Sequence, residues 1–188
     1  MRNSCGAIFY TYNPDGVLGI ILGEEGNKWF PFKGCVKKGE TFEETAKREI
    51  KEETCGLVCV DNIKLEHRFS SKRKNYYIGL CYVPYSIIKE FENIIQLETR
   101  IEYKEKKRLK FFPVDVFILY NNDIHSITKS SIEFYWDKLM QLNNKNIYYE
   151  MTRYHGVSFN YKQNKKTINS CKPLHNISAC ESWRSSIL

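Results

Sequence analysis

The chain has 188 residues, of which 42% are hydrophobic and 14% aromatic, so it can bury the core of one domain and does not resemble a disordered chain. Its formal net charge of +7 favours anionic, phosphate-rich partners, although charge says nothing about fold. No apolar run approaches the ~18 residues of a membrane span, and seven irregularly spaced Cys indicate reduced thiols, so we expect a cytoplasmic protein without disulfides or membrane contact.

The first predicted element is a β-hairpin. Residues 7–12 and 17–22 are apolar runs with strand propensity, and they flank Asn-Pro-Asp-Gly at 13–16, a composition typical of a tight turn. Residues 29–32 then lead into a loop at 33–40 that is interrupted by glycine. The chain therefore begins with antiparallel strands followed by an irregular segment.

Residues 41–54 are predicted to form a helix. Thr41, with Glu44 three positions later, has the pattern of a capping box at the helix N-terminus. An apolar stripe at helical spacing would pack this helix on the sheet, and it consists of Phe42, Ala46 and Ile50.

Strands are predicted to dominate the middle of the chain. Polar clusters separate three strand-like runs, at residues 57–60, 64–70 and 76–83. Residues 86–97 are consistent with a helix or with a loop insertion. A short strand at 109–112 and a closing helix at 131–142 complete the predicted elements.

We expect one domain over residues 1–142 and a C-terminal extension over residues 143–188. The extension is basic, rich in Asn, Lys, Ser and Tyr, and lacks a clear hydrophobic period. Such a composition is typical of an appendage or a flexible tail.

The predicted helix at 41–54 gathers three carboxylates. Glu49, Glu52 and Glu53 are related by i, i+3 and i+4, so they share one face and repel one another unless a cation lies among them. Hard divalent ions such as Mg²⁺ and Mn²⁺ prefer oxygen ligands and often bridge carboxylates to substrate phosphates. Arg48 lies one turn before Glu52 and would orient a carboxylate. Taken alone, such a helix is more often an ordinary charged surface helix than a metal site.

The segment that contains this helix resembles the signature box of the Nudix hydrolases. Its spacing is Gly, five residues, Glu, seven residues, then Arg-Glu-Ile-x-Glu-Glu, and it fixes seven positions together: Gly34, Glu40, Arg48, Glu49, Ile50, Glu52 and Glu53. In one departure, Cys55 occupies the position where the family has glycine, and Gly56 follows it. We expect this one-residue delay to lengthen the helix slightly.

The resemblance implies an α/β fold, namely the Nudix α/β/α sandwich with a mixed sheet and the box as loop-helix-loop. It implies metal-dependent hydrolysis of a diphosphate linkage, with Mg²⁺ or Mn²⁺ bound by Glu49, Glu52 and Glu53. Family members often add the backbone carbonyl that precedes the box glycine, here that of Lys33. Glu40 matches a supporting position.

A further carboxylate outside the box often serves Nudix enzymes as metal ligand or general base. The run from Glu105 to Phe112 resembles the family element in which such a glutamate precedes a strand that ends in two aromatic residues. Glu105 is therefore the predicted residue, with Glu102 as the alternative. A solvated charge in a mixed run is an equally consistent interpretation of Glu105.

Two features bear on the substrate. Residues 29–34, Trp-Phe-Pro-Phe-Lys-Gly, resemble the Trp-x-x-Pro-Lys-Gly entry of mRNA-decapping, diphosphoinositol polyphosphate and dinucleoside polyphosphate Nudix enzymes, except that Phe32 replaces Pro. Lys33 would then contact a phosphate. The second feature is the basic cluster Lys72, Arg73 and Lys74, which either grips an anionic substrate or forms a solvated hairpin tip.

The remaining similarities favour different substrates. Residues 99–112 most resemble decapping enzymes, whereas residues 69–77 resemble the diphosphoinositol group, and basic residues at 100–110 with Tyr103 would suit RNA binding. Capped RNA is the expected substrate, with diphosphoinositol or dinucleoside polyphosphates as alternatives. A nucleotide-pool sanitising hydrolase and a catalytically silent RNA- or ligand-binding module are further alternatives, and the oligomeric state stays open.

Overall fold

A computed structural model of the chain describes residues 2–71, 73–97 and 105–155. Its strands, in chain order, are β1 Arg2–Tyr12, β2 Leu18–Glu25, β3 Lys28–Phe30, β4 Phe32–Cys35, β5 His67–Ser70, β6 Lys74–Tyr82 and β7 Leu109–Pro113. Its helices are α1 Phe42–Glu53, α2 Ile87–Leu97 and α3 Ser126–His155, with a 3₁₀ helix at Val116–Tyr120 before α3.

The strands form one mixed seven-stranded sheet centred on β1. β6 pairs with β1 in parallel along nine residues of one edge. The other edge of β1 is shared, because its second half pairs antiparallel with β2 and its first half pairs antiparallel with β4. β3 and β7 extend the sheet from β2, and β5 extends it from β6. This arrangement places β4, which contains Lys33 and Gly34, directly beside the central strand β1.

Helices cover both faces of the sheet. Successive side chains of β1 alternate between two buried clusters, with Ile8 in one and Ala7 and Phe9 in the other. The first cluster contains apolar residues of α3, namely Ile127, Ile132, Tyr135 and Leu139. The second contains apolar residues of α1 and α2, namely Ala46, Ile50, Ile87 and Phe91. The predicted α/β/α sandwich with a mixed sheet is therefore confirmed.

The predicted opening hairpin is present, with β1 paired antiparallel to β2. Asn13 organises its turn, because its side-chain Oδ1 accepts hydrogen bonds from the backbone N–H of Asp15 and of Val17. The predicted capping box is also present, since Thr41 Oγ1 accepts from Glu44 N while Glu44 Oε2 accepts from Thr41 N. Local sequence was sufficient for both elements.

The predicted strand at residues 57–60 is wrong. The backbone N–H groups of Leu57 and Val58 donate to the carbonyl and the hydroxyl of Thr54, so this segment folds back on the end of α1 and makes no strand pairing. The predicted strand at 64–70 is reduced to β5, His67–Ser70. At 86–97 the chain forms helix α2 and not a loop.

The closing helix is longer than predicted. α3 begins at Ser126, five residues before the expected start, and its backbone continues past residue 142 to His155. The expected end of the domain therefore falls inside a continuous helix, and the division into a domain and an extension stays a prediction. Residues 156–188 of that extension lie outside the described residues. No helix in the described part of the chain is both long and apolar enough to span a bilayer.

Candidate active site

Arg48 is the hub of the polar face of α1. Its Nε and Nη2 atoms donate to the two oxygens of Glu40, at 2.6 and 3.0 Å. Its Nη1 donates to Glu49 at 2.5 Å and to Glu52 at 2.9 Å, and Nη2 also donates to the carbonyl of Cys35. One planar guanidinium thus fixes the helix, the preceding loop and two of the predicted metal ligands in one arrangement.

Glu40 acts from the loop before α1. Its carboxylate accepts hydrogen bonds from Arg48, from the backbone N–H of Lys37 and from the hydroxyl of Thr45. These donors stabilise the charged form, Arg48 most of all, and lower the pKa of Glu40 to about 2. The supporting role expected for Glu40 therefore has a structural basis, because it ties the loop to the helix through Arg48.

Glu49 is held against the backbone of β4. Only 8% of the residue is exposed, and a Cβ at Gly34 would lie 2.0 Å from the Glu49 carboxyl carbon. Burial raises the pKa of Glu49, and Arg48 opposes this rise by hydrogen bonding to the charged form. The box glycine is therefore required because a side chain at position 34 would occupy the place of this carboxyl group.

Glu53 is the most enclosed of the three carboxylates, with 3% of its side chain exposed. Its Oε2 accepts a hydrogen bond of 2.8 Å from the backbone N–H of Lys33. Its Oε1 is buried and has no hydrogen-bond partner within the described residues, although Lys106 Nζ lies 3.4 Å away as an ion-pair partner. Burial raises the pKa of Glu53, while Lys106 acts in the opposite direction.

Glu52 is the exposed member of the set, with 54% of its side chain accessible. Besides Arg48, it has Lys37 as a loose partner, with Lys37 Nζ 3.8 Å from Glu52 Oε1. The exposure of the three carboxylates on this face of α1 thus increases from Glu53 to Glu52.

Two residues at this site, Lys106 and Glu25, were not predicted from the sequence. Lys106 is fully buried, and its ammonium group lies 2.9 Å from Glu25 Oε2 as well as beside Glu53. Lys33 Nζ approaches the same Glu25 oxygen at 3.7 Å, and burial lowers the pKa of Lys33. The only sequence signal for Lys106 was its position directly after Glu105, because nothing in its local run distinguishes it from the exposed neighbouring Lys107.

Glu105, predicted as an additional ligand or base, lies exposed beside the other carboxylates. Its side chain interacts with Glu53, where it raises the pKa of Glu53, and its charge also raises the pKa of Glu49. The structure therefore brings Glu105 to the acidic face of α1 from more than fifty residues further along the chain. The alternative, Glu102, lies outside the described residues.

The basic cluster is only partly visible. Lys72 is outside the described residues, and Arg73 is exposed. Lys74 begins β6 opposite Arg2 of β1, two positions along β1 from the pairing of Ser4 with Cys35. Its charge contributes to the lowered pKa of Lys33, so the two ammonium groups interact electrostatically.

The departure at Cys55 has a different outcome from the one expected. α1 ends at Glu53 and is not lengthened, because Cys55 itself adopts the left-handed conformation with φ of 55°. Gly56 follows with φ of 82°, and its N–H donates to the carbonyl of Lys51 at 2.8 Å. Cys55 therefore supplies the helix-ending conformation that glycine adopts at lower steric cost.

The family model for the NUDIX domain matches residues 5–133. The chain belongs to the Nudix family. This match includes the box, the carboxylate face of α1 and the sheet that supports them, and it confirms the resemblance inferred from the sequence. The prediction of a Nudix hydrolase is confirmed at the level of the family. No curated protein matches the chain.

Solved structures with this Nudix fold include two of nearly the same extent. The binary complex of Ap4A hydrolase from C. elegans has 16% identity and a TM-score of 0.50, over 75% of this chain and 99% of that chain. A mutT/nudix family protein from Listeria innocua has 16% identity and a TM-score of 0.50, over 81% and 94%. The chain spans 43% of a MutT/nudix family protein from Enterococcus faecalis, at 21% identity and a TM-score of 0.45. The two structures with a TM-score of 0.50 show the same fold.

Nudix hydrolases generally use divalent metal ions, and the donor set on α1 fits such an ion. It consists of carboxylate oxygens, and the buried Glu53 Oε1 has no hydrogen-bond donor of its own. No group of three or more ligating side chains is preassembled in the part of the chain that the structure describes. Arg48 is paired with Glu49 and Glu52, and Lys106 lies beside Glu53. The metal ligands stay a prediction.

Proposed function

We propose that this Nudix chain is a divalent-metal-dependent hydrolase that cleaves a diphosphate linkage. The observation that carries the proposal is the position of Glu49 and Glu53 against the backbone of Gly34 and Lys33, where Glu53 Oε1 is buried and accepts no hydrogen bond within the described residues. Glu52 lies on the same face of α1 and is exposed. Arg48 and Lys106 partly offset the repulsion among these carboxylates, and their oxygens are the ligands that a phosphate-binding divalent ion prefers.

The residues of the chain would divide the work as follows. Glu49, Glu52 and Glu53 would hold Mg²⁺ or Mn²⁺, which when bound supplies Lewis-acid stabilisation of the phosphates and a more acidic water. Arg48 keeps the first two carboxylates oriented. Glu105, exposed beside Glu53, would accept the proton of the attacking water as the water oxygen bonds to phosphorus and the bridging P–O bond breaks.

Basic groups next to the box support an anionic, phosphate-rich substrate. Lys74 and exposed Arg73 lie at the end of β6 that pairs with the start of β1, the strand that also pairs with β4, and their positive charge would favour an anionic substrate. Lys33 is committed to Glu25 and lies over the Phe30 ring, with Nζ 4.8 Å from the ring centroid. It would therefore act on a phosphate through its charge more readily than through a direct contact.

Capped RNA is the first substrate that we propose. A longer polyanion would extend beyond the box, and Lys110 offers a cation on β7 beside the ring of Trp29. Arg108, which also approaches this ring, is paired with Glu24. Dinucleoside polyphosphates are the alternative, since Ap4A hydrolase is the activity named for the C. elegans structure with this fold. Diphosphoinositol polyphosphates and nucleoside triphosphates carry the same linkage.

The test is a substrate panel assayed with Mg²⁺, with Mn²⁺ and with EDTA. We expect capped RNA to release a methylated guanosine diphosphate only when a divalent ion is present. Glu52→Gln and Glu53→Gln should each lower the rate by about 100-fold or more, because each removes a charged ligand while keeping side-chain volume. Glu43→Gln, an exposed carboxylate change on the same helix, is the control and should retain the rate.

Each alternative gives a distinct outcome in this panel. Release from only the smaller substrates would keep the hydrolase and remove capped RNA as the substrate. A panel that stays silent with both metals would instead favour a Nudix module that binds RNA or another ligand without chemistry.

A further inference from the structure

Lys106 is a charged side chain built into the interior. None of its side chain is exposed, and its aliphatic part lies over Gly23, where a Cβ would be 2.6 Å from Lys106 Cδ. Its ammonium group lies 5.4 Å from the centroid of the Phe30 ring. The backbone at Gly23 and the ring of Phe30 both pack against the Lys106 side chain. Interior packing therefore fixes the position of its ammonium group, unlike that of a mobile surface lysine.

The ammonium group of Lys106 lies between two carboxylates. It is 2.9 Å from Glu25 Oε2 and 3.4 Å from Glu53 Oε1. The second oxygen of Glu53 already accepts a hydrogen bond from the backbone N–H of Lys33, so Oε1 is the atom of this carboxylate left for another cation. A buried carboxylate without a cation nearby is strongly destabilising, and Lys106 lies close enough to Glu53 to meet this need.

We propose that Lys106 is the resident counter-cation of Glu53 and a positioning residue that a divalent ion must displace from Glu53 Oε1. This inference rests on the proposed function, in which Glu53 is a metal ligand. Displacement requires little movement, because the shorter contact of Lys106 is with Glu25 and is retained when Glu53 turns to the metal. Lys106 and Glu25 together then set how tightly the ion binds.

Displacement of Lys106 from Glu53 by a divalent ion predicts that substitutions of Lys106 and of Glu25 change metal affinity in opposite directions. Lys106→Met removes the competing charge while keeping an unbranched side chain that fills the same space, so divalent ions should bind more tightly. Glu25→Gln removes the carboxylate that retains Lys106 during the exchange, so Lys106 should hold Glu53 more strongly and divalent ions should bind more weakly. A residue with a purely structural role would change stability without these opposite shifts in metal affinity.

The experiment is a Mn²⁺ titration of the full chain, read by calorimetry and by the metal-induced rise in Tm. We expect Lys106→Met to bind Mn²⁺ at least about fivefold more tightly than the wild type, with a lower Tm in the absence of metal. Lys107→Met is the matched control, because it removes one positive charge from the adjacent, exposed lysine. It should leave the affinity within about twofold of the wild type.

Glu25→Gln is the second arm, and we expect at least about fivefold weaker Mn²⁺ binding. Its control is Glu66→Gln, which removes another carboxylate with a lysine partner, Lys138, away from the site. If Lys106→Met does not fold without metal, the comparison of Glu25→Gln with Glu66→Gln tests the proposal by itself.

The failure of this inference is distinguishable from the failure of the proposed function. A wild-type chain that binds Mn²⁺ and hydrolyses its substrate, with either variant no different in affinity from its control, overturns the exchange alone. A wild-type chain that shows no binding of Mn²⁺ by either readout overturns both proposals.

Discussion

The α-carbon of Gly34 faces the carboxyl group of Glu49 so closely that no side chain fits between them. A Cβ at Gly34 would lie 2.0 Å from Glu49 Cδ and from Oε2. The glycine of the box is thus a steric requirement of a carboxylate that follows fifteen residues later.

Gly34→Ala should displace Glu49 and lower the hydrolysis rate by about 100-fold, because small displacements of catalytic groups are costly. Because the carboxyl end of Glu49 can move aside, the loss in free energy of unfolding should be about 1 kcal/mol or less. Gly26→Ala is the control, since Gly26 has φ of 62° with open space around it and alanine there strains only the backbone. The hydrolysis rate is measured by steady-state kinetics and the free energy of unfolding by urea unfolding. Equal activity of the two variants would contradict the steric explanation.

Arg48→Lys should lower the rate by about 10-fold or more, although the charge is retained. Lysine cannot reproduce the planar fork that reaches Glu40, Glu49 and Glu52 at once, so the carboxylates lose their common partner. Steady-state kinetics and Mn²⁺ titration are the measurements. Lys51→Arg, the reverse exchange at an exposed position of α1, should have no effect on either. Unchanged kinetics in Arg48→Lys would show that a point charge is sufficient.

Cys55→Gly should raise the free energy of unfolding by about 1 kcal/mol, because it removes the cost of holding a side chain in the left-handed conformation. Urea unfolding measures the change, and activity should be retained. Cys59→Gly provides the comparison, since Cys59 is exposed and is not among the residues with positive φ in the described chain. That variant should lose stability, as glycine adds freedom to the unfolded chain. A loss of stability in Cys55→Gly would refute the argument.

His67 should make the protein less stable as the pH falls. It is buried beside Phe134 and contacts Ser130 Oγ at 3.3 Å, and burial lowers its pKa. Because the unfolded chain then binds the proton more tightly, stability is full above the unfolded pKa of ~6.5 and falls below it, by at most about 1.4 kcal/mol per pH unit.

His67→Gln should flatten the pH dependence of the unfolding free energy, measured in urea at several pH values from 8 to 5. Near pH 8 the unfolding free energies of the variant and the wild type should differ only by an offset that does not change with pH. His125, whose pKa is also lowered by burial, contributes to both proteins and cancels in the comparison. Parallel curves for the two proteins would mean that His67 does not carry the effect.

The sequence by itself determined the elements whose cause is local. The Asn13 turn, the Thr41 capping box and the shared face of Glu49, Glu52 and Glu53 follow from short-range geometry, and the structure confirms the first two directly. Residues 57–60 have strand propensity, but the N–H groups of Leu57 and Val58 donate to Thr54, and a pattern alone does not show which partner a backbone will find.

Only the tertiary structure decided what surrounds the carboxylates. Glu25 on β2, Glu53 on α1 and Lys106 before β7 meet because β2 pairs with β7 and α1 packs on the same sheet. Lys106 and Lys107 are chemically identical neighbours in the sequence, yet one is buried between two acids and the other is exposed. Long-range packing makes this distinction, because burial of a charge depends on partners that only the folded chain brings together.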